Sequence, residues 1–138
     1  MSEFRCVAER LSVSPQLAPG DMAAAAAQGF VRVVCNRPDA EGPGQPTGAE
    51  MKAAAQAAGL EFVHIPFAGM PDAATADAVF AAVSEAPGPV LAYCRSGTRS
   101  VTAWALGSLR AGDHDRDSLV ALAAGAGYDL SAVLPRPM

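Results

Sequence analysis

The stretch Val90-Leu-Ala-Tyr-Cys-Arg-Ser-Gly-Thr-Arg-Ser100 joins a predicted strand to a predicted helix through a very short loop. The apolar residues 90–93, which follow a Pro-Gly-Pro turn, are typical of a buried strand. From residue 100 onward the apolar positions recur at helical spacing, which predicts an amphipathic helix. Loop amides and a helix N-terminus together form an anion site. The stretch therefore predicts an anion cradle directly after Cys94.

Cys94 is the candidate nucleophile of this cradle. The helix dipole and the guanidinium groups of Arg95 and Arg99 stabilise the thiolate form of a cysteine in this place. Gly97 allows so short a loop to close, because a residue without a Cβ adopts backbone angles that others avoid. The pattern indicates nucleophilic catalysis on an anionic or sulfur-bearing small substrate.

The composition describes a single domain, residues 1–138, and 51% of the residues are hydrophobic, enough for a core. A net charge of −4 without a basic stripe argues against nucleic acid and anionic membranes as partners. The first residues lack the apolar core of a signal peptide, and no apolar run is long enough to cross a bilayer. Three cysteines without metal-type spacing predict a cytoplasmic protein with a reactive thiol and no bound metal.

Predicted strands and helices alternate along most of the chain. Strands are predicted at residues 4–8, 11–13, 30–35, 60–65 and 90–93. Helices are predicted at residues 19–28, 47–58, 74–86, 100–109 and 118–124, the second opened by the capping box Thr47-Gly-Ala-Glu50. The alternation predicts an α/β fold with a parallel sheet flanked by helices, or a mixed sheet if the first two strands form an edge hairpin.

The predicted sheet also indicates which loops surround Cys94. In a parallel sheet the carboxyl ends of the strands lie along one edge, which is where ligands bind. The loops after Cys35 and Ile65 should therefore flank the Cys94 loop. This geometry nominates three neighbours of the thiolate: Asn36, Arg37 and Asp72.

Several short motifs lie along the chain outside this loop: Ser14-Pro-Gln16, Gly29-Phe30, Asn36-Arg37-Pro38, Glu41, His64-Ile65-Pro66, Pro89, Trp104 and Ala126-Gly-Tyr-Asp-Leu130. Together with Cys94-Arg-Ser-Gly-Thr-Arg-Ser100 they resemble the beta-lactamase-hydrolase-like family of bacterial phosphatase-like proteins. The resemblance implies a fold like that of the dual-specificity protein tyrosine phosphatases, with Cys94 as nucleophile and Arg99 clamping the anion. Similar domains are fused to persulfide dioxygenases, which implies a persulfide dioxygenase or another sulfur-handling protein as partner.

The length of the Cys94 loop departs from the phosphatase pattern. Tyrosine phosphatases place five residues between the cysteine and the arginine, whereas four separate Cys94 from Arg99. The shorter loop is similar to that of rhodanese-type sulfurtransferases, whose cradle holds the outer sulfur of a persulfide. We therefore expect sulfur transfer from thiosulfate or a small persulfide first. Phosphatase activity through a Cys94 phosphocysteine is the alternative. A third hypothesis is that the protein is a non-catalytic sensor of an anion or persulfide.

The expected sulfur transfer needs no metal or organic cofactor. Cys94 attacks the outer sulfur of the donor, the loop amides and Arg99 hold the resulting anion, and Arg95 attracts the substrate. The hydroxyl of Ser100 either donates to the thiolate or caps the helix. The anion-binding loop comprises Arg95, Ser96, Gly97, Thr98 and Ser100.

Two flanking residues have alternative roles. Asp72 is a general acid if the protein is a phosphatase, or else the cap of the third helix. Cys35 ends one strand as Cys94 follows another, and neighbouring strands lie about as far apart as a disulfide spans. Cys35 therefore either protects Cys94 from irreversible oxidation or accepts sulfur from a Cys94 persulfide. The alternative is that it packs in the core, as buried free cysteines do.

Overall fold

A five-stranded mixed sheet forms the centre of the computed structural model, which describes residues 4–135. The strands are β1 (Arg5–Ala8), β2 (Leu11–Ser14), β3 (Arg32–Cys35), β4 (Glu61–His64) and β5 (Val90–Tyr93). The helices are α1 (Asp21–Ala27), α2 (Gly48–Ala57), α3 (Ala73–Ser84), α4 (Thr98–Ala111) and α5 (Arg116–Gly125). The strand order is β1-β2-β5-β3-β4, with β1 antiparallel to β2 and the other pairs parallel. The predicted α/β class, with an antiparallel hairpin at one edge of the sheet, is confirmed.

The central strand is β5, and all four of its residues are buried. Val90 and Ala92 belong to a core cluster with residues of α3, α4 and α5. Leu91 and Tyr93 belong to a second cluster with residues of α1 and α2. Because helices cover both faces, the strand is apolar throughout rather than alternating. Its position places the residue that follows, Cys94, at the middle of the carboxyl edge of the sheet.

Side-chain caps determine where three helices begin. Thr47 and Glu50 form the predicted capping box at the start of α2. Asp72 accepts from the N–H of Thr75 at the start of α3, and Asp115 does the same for α5. The aspartate cap starts α5 two residues earlier than predicted, because an acceptor at the N-cap satisfies an amide that the helix leaves open.

α3 and α4 pack closely at Gly107. A Cβ at this position would lie 2.4 Å from the carbonyl oxygen of Ala76, so only glycine allows this distance between the helices. The contact holds α4 against α3, and both helices belong to the core cluster on one face of β5. Among residues 4–135, no helix combines the length and the apolar character needed to cross a bilayer.

Candidate active site

Cys94 lies between the end of β5 and the first turn of α4, and it is completely buried. The N–H of Gly97 donates to its sulfur, with 3.1 Å between N and Sγ. Gly97 is the N-cap of α4 and adopts a left-handed conformation with φ of 95°. The sulfur therefore lies at the positive end of a 14-residue helix and accepts from a loop amide. This arrangement has the strand, loop and helix start that the sequence predicts, and anion binding by the loop stays a prediction.

Two carbonyl groups of the loop are held from outside it. The carbonyl oxygen of Arg95 accepts from the N–H of Gln16 at 3.2 Å, and that of Ser96 accepts from the hydroxyl of Tyr128 at 2.9 Å. The side chains of Arg95, Ser96 and Thr98 are exposed, and the two hydroxyls lie 3.1 Å apart. Exposed side chains and anchored carbonyls leave the backbone amides as the groups that can face a bound anion.

Arg99 is held in place by one edge of its guanidinium group. Nη1 and Nη2 donate to the two carboxylate oxygens of Glu41 at 2.8 and 2.6 Å, and Nη1 also donates to the carbonyl of Phe67 at 3.0 Å. These bonds use three of the five N–H donors, and the other two lie together on the Nε edge. Glu41 raises the pKa of Arg99, as does the nearby Cys94 sulfur, while partial burial lowers it. Arg99 thus remains a fixed cation beside the cysteine.

Glu41 is a site residue to which the sequence assigned no role. Its Oε1 also accepts from Nε of Arg37 at 2.9 Å, and Arg37 is buried and bonded through Nη1 to Gln16. The bond to Arg99 and the one to Arg37 lower the pKa of Glu41 to about 2. Glu41 is therefore an anion at neutral pH. The only signal for Gln16, Glu41 and Tyr128 was that all three stand in the motifs that carry the family resemblance.

Asn36 lies beside Cys94, as predicted from the sheet. Its N–H donates to the carbonyl of Tyr93 at 2.9 Å, which continues the pairing of β3 with β5 by one residue. Its side-chain Nδ2 donates to the carbonyl of Ile65 at 3.0 Å, whereas its buried Oδ1 has no hydrogen-bond partner among the described residues. Asn36 thus ties the end of β3 to the segment after β4, next to the candidate nucleophile.

Cys35 is buried in the core cluster on the α1 and α2 side, in register with Tyr93 rather than with Cys94. Its sulfur donates to the carbonyl of Arg37 at 3.5 Å. Burial raises the pKa of the Cys35 thiol. Cys35 and Cys94 are both free thiols in this structure. These surroundings are those of a packed cysteine, and a role toward Cys94 stays a prediction.

Two further predicted site residues, Asp72 and Ser100, differ in their surroundings. Asp72 is an exposed helix cap, and its bond from the N–H of Thr75 at 2.8 Å lowers the pKa of its carboxyl group. Ser100 is completely buried, and its hydroxyl has no hydrogen-bond partner among the described residues. Gly97 is the N-cap of α4, so Ser100 does not cap the helix, and its role toward the thiolate stays a prediction. The described residues contain no group of three or more His, Cys, Asp or Glu side chains placed to hold a metal ion.

Comparisons with known proteins agree with this geometry. The model of a family described as "Beta-lactamase hydrolase-like protein, phosphatase-like domain" matches residues 3–111. A beta-lactamase hydrolase-like protein of Agrobacterium fabrum is 39% identical over 126 residues, which are 90% of this chain and 29% of that protein. The chain therefore spans less than a third of the length of this relative.

Solved structures with the same fold are phosphatase-like proteins. A candidate phosphatase of Neisseria meningitidis Z2491 is 32% identical, has a TM-score of 0.83, and is matched over 94% of this chain and 92% of its own. Tk-PTP in its active form has a TM-score of 0.68 at 21% identity, over 91% and 84% of the two chains, and supports the fold alone. The family resemblance and the expected phosphatase-like fold are confirmed. The comparisons favour the phosphatase alternative over the sulfur transfer that was expected first.

Proposed function

Because the chain belongs to the family of the phosphatase-like domain of beta-lactamase hydrolase-like proteins, we propose that it is a cysteine-dependent phosphatase for small phosphate monoesters. The observation that carries the proposal is the orientation of the Arg99 guanidinium group. Glu41 and Phe67 hold its Nη1–Nη2 edge, and the Nε edge is a fork for two oxygens of a phosphoryl group. Cys94 lies beside this fork at the start of α4.

The proposed reaction has two displacements at phosphorus. The Cys94 thiolate attacks the phosphorus, and the S–P bond forms as the P–O ester bond breaks with both electrons leaving on the ester oxygen. Water then attacks the phosphocysteine, the S–P bond breaks, and inorganic phosphate, the thiolate and a proton are released. Loop amides and Arg99 stabilise the charge on the phosphoryl oxygens in both steps.

Two carboxyl groups, Glu41 at the site and Asp72 at the start of α3, are poor proton donors. Glu41, with a pKa of about 2, is ionised at neutral pH, and the helix-capping bond lowers the pKa of Asp72 as well. A leaving alcohol of high pKa needs a general acid, whereas a phenolate leaves without one. We therefore infer a preference for aryl phosphates or other esters with stable leaving groups.

The test is a series of aryl and alkyl phosphates assayed with the wild type and with Cys94→Ser. The proposal predicts hydrolysis that requires Cys94 and that rises steeply as the leaving-group pKa falls. Equal rates for alkyl and aryl esters would show that a general acid is present and would overturn the substrate preference. Absence of any Cys94-dependent phosphate release would overturn the phosphatase proposal itself.

Sulfur transfer is the second candidate, and the four-residue spacing between Cys94 and Arg99 favours it. Cys94 would attack the outer sulfur of thiosulfate, forming an S–S bond as the bond to the sulfite group breaks and sulfite leaves with the electron pair. Cyanide would then take the sulfur as thiocyanate and restore the thiolate. Neither leaving group needs a proton, which suits a site whose carboxylates are ionised. Mass spectrometry after thiosulfate treatment tests this candidate, because it predicts one added sulfur on Cys94.

Both candidates take a small anionic substrate. A persulfide dioxygenase or another sulfur-handling partner belongs to the second candidate only. The cytoplasm, which the unpaired thiols suit, is the proposed compartment for either.

A further inference from the structure

The peptide unit between Ser96 and Gly97 is bonded at both ends. Its carbonyl oxygen, on Ser96, accepts from the Tyr128 hydroxyl at 2.9 Å, and its N–H, on Gly97, donates to the Cys94 sulfur at 3.1 Å. In a trans peptide the C=O and N–H bonds point in opposite directions, and the described chain contains no cis peptide. Whatever holds the carbonyl on one side of the loop therefore directs the amide to the other side, toward the sulfur.

A glycine in this peptide can rotate more easily than other residues. Gly97 adopts φ of 95°, and glycine visits both positive and negative φ at little cost. Rotation of the unit by half a turn would place the Ser96 carbonyl oxygen toward Cys94, where it would repel a thiolate. The bond from Tyr128 opposes this rotation, because it would leave both the phenol and the carbonyl without their partner.

Tyr128 is itself firmly placed by the segment that follows α5. It is 7% exposed, its N–H donates to the carbonyl of Ala123 at 2.9 Å, and the Arg5 guanidinium lies 5.3 Å from the centre of its ring. Its hydroxyl lies so close to Gly97 that a Cβ there would come within 2.1 Å of the oxygen. Tyr128 also lies beyond residues 3–111, which the family model matches.

The neighbouring peptide is oriented in the same manner. The carbonyl of Arg95 accepts from the N–H of Gln16 at 3.2 Å, which directs the N–H of Ser96 away from Gln16. Two segments distant in sequence, one after β2 and one after α5, thus hold successive carbonyls outward. The amides of the same peptides are left on the inner side of the loop.

We propose that Tyr128 is a positioning residue for the candidate nucleophile: its hydroxyl holds the Ser96 carbonyl and thereby keeps the Gly97 amide directed at the Cys94 sulfur. The proposal rests on the proposed function only in that Cys94 reacts as a thiolate, and it holds for phosphate and for sulfur chemistry alike. Tyr128 touches no substrate in this scheme and acts entirely through the loop peptide.

The test measures thiolate formation directly, without a substrate. The absorbance of the thiolate near 240 nm is followed against pH, with the same titration of Cys94→Ser subtracted. In Tyr128→Phe only the hydroxyl is removed, and the titration midpoint of Cys94 should rise by about one pH unit, as expected for a weakened hydrogen bond to a charged group. Arg99 and Cys35, the titratable groups that interact with Cys94 from α4 and β3, are unchanged in this variant.

The matched control is Tyr93→Phe, which removes the hydroxyl of the other tyrosine, a buried group that interacts with Cys35. A shift with Tyr128→Phe and none with Tyr93→Phe supports the proposal. An unchanged midpoint for Tyr128→Phe, or equal shifts in both variants, overturns it. A shift of the midpoint in a protein that releases no phosphate would retain Tyr128 as a positioning residue and reject the phosphatase function.

A second measurement covers the case in which Tyr128→Phe does not fold. In the wild type, the amide proton resonance of Gly97 should move downfield as Cys94 ionises, and it should not titrate in Cys94→Ser. A Gly97 amide that is insensitive to Cys94 ionisation overturns the proposal without any change at Tyr128.

Discussion

At the scale of single residues, Glu41 organises the charges of the site by accepting from both Arg37 and Arg99. Arg37 is buried and Arg99 is 18% exposed, so neither guanidinium group could be left unpaired at low cost. The carboxylate neutralises part of their charge and fixes the plane of the Arg99 fork. Arg95, by contrast, is exposed and has no comparable anchor among the described contacts.

This difference predicts unequal effects of two lysine substitutions. Arg99→Lys should lower kcat/KM by about 100-fold or more, because an ammonium group cannot bond two oxygens from one plane and also keep the contacts to Glu41 and Phe67. Arg95→Lys should raise KM with little effect on kcat, since it keeps the charge that attracts the substrate. Steady-state kinetics of both variants on one aryl phosphate measure these effects. Equal losses of kcat/KM would place Arg95 among the anion-binding groups.

Glu41 also predicts a pH dependence of stability. Its folded pKa of about 2 lies below the ordinary 4.5, so the stability that it contributes is present above about pH 4.5 and is lost as the pH falls toward 2. Urea midpoints of the wild type and Glu41→Gln should therefore differ most above pH 4.5 and converge toward pH 2.5. Glu85→Gln, at an exposed position, is the control. A difference between the urea midpoints of the wild type and Glu41→Gln that stays constant with pH would contradict the lowered pKa of Glu41.

At the scale of elements, the site depends on how the loop between β5 and α4 fits its surroundings. Gly97 and Gly44 both have positive φ, 95° and 71°. Nothing lies within 4 Å of a Cβ built at Gly44, whereas one at Gly97 would lie 2.1 Å from the Tyr128 hydroxyl. A residue with a Cβ would strain the backbone at either position. Only at Gly97 would the Cβ also lack space.

Alanine at these two positions should therefore have different costs. Gly44→Ala should destabilise by about 1 kcal/mol from the left-handed backbone alone. Gly97→Ala should cost at least about 1 kcal/mol more, because Tyr128 has to move, and it should also impair Cys94 chemistry. Chemical denaturation of both variants measures the difference, and equal costs would mean that the loop yields without disturbing Tyr128.

The register of β3 with β5 bears on the predicted pairing of thiols. Cys35 lies opposite Tyr93, and side chains alternate between the faces of a sheet, so Cys94 is directed to the other side of its strand. We therefore expect dilute hydrogen peroxide to oxidise Cys94 to the sulfinic acid while Cys35 stays reduced. Peptide mapping by mass spectrometry, with Cys94→Ser as control, checks this expectation. A Cys35–Cys94 disulfide would instead support a protective second thiol.

At the scale of the whole molecule, the segment that follows α4 completes both the core and the site. Leu119, Ala123, Leu130 and Leu134 are buried in the cluster that covers one face of β5, and Tyr128 reaches the Cys94 loop from the same segment. The residues matched by the family model end at 111, before all of them. The chain therefore needs α5 and the residues after it for a closed core and for an anchored loop.

Leu130→Ala tests this contribution. Leu130 is completely buried, so truncation should destabilise the protein by about 2–5 kcal/mol, a large part of the stability of a domain this size. Leu122→Ala, at a half-buried position on α5, should cost clearly less. Thermal unfolding of both variants supplies the comparison, and a negligible effect at Leu130 would show that the core is complete without this segment.

The features that follow from local physical chemistry could be predicted from the sequence. A strand, a glycine-containing loop and a helix start within eleven residues predict a cysteine at the positive end of a helix, because capping, backbone freedom and periodicity act over a few residues. The α/β alternation likewise predicts parallel strands, and the neighbours Asn36 and Arg37 followed from their shared edge.

Only the tertiary structure decided which distant groups complete the site. Glu41 and Phe67 lie 58 and 32 residues before Arg99, and Tyr128 lies 32 residues after Ser96. Their contacts depend on the order β2-β5-β3-β4 and on the path of the chain after α5, which no short-range pattern specifies. The sequence by itself therefore determined where the candidate nucleophile and the predicted anion cradle lie, since those depend on neighbours along the chain. The tertiary structure decided what holds the arginine and the loop peptides in place, because charge pairing and hydrogen bonding across the sheet act between residues that only folding brings together.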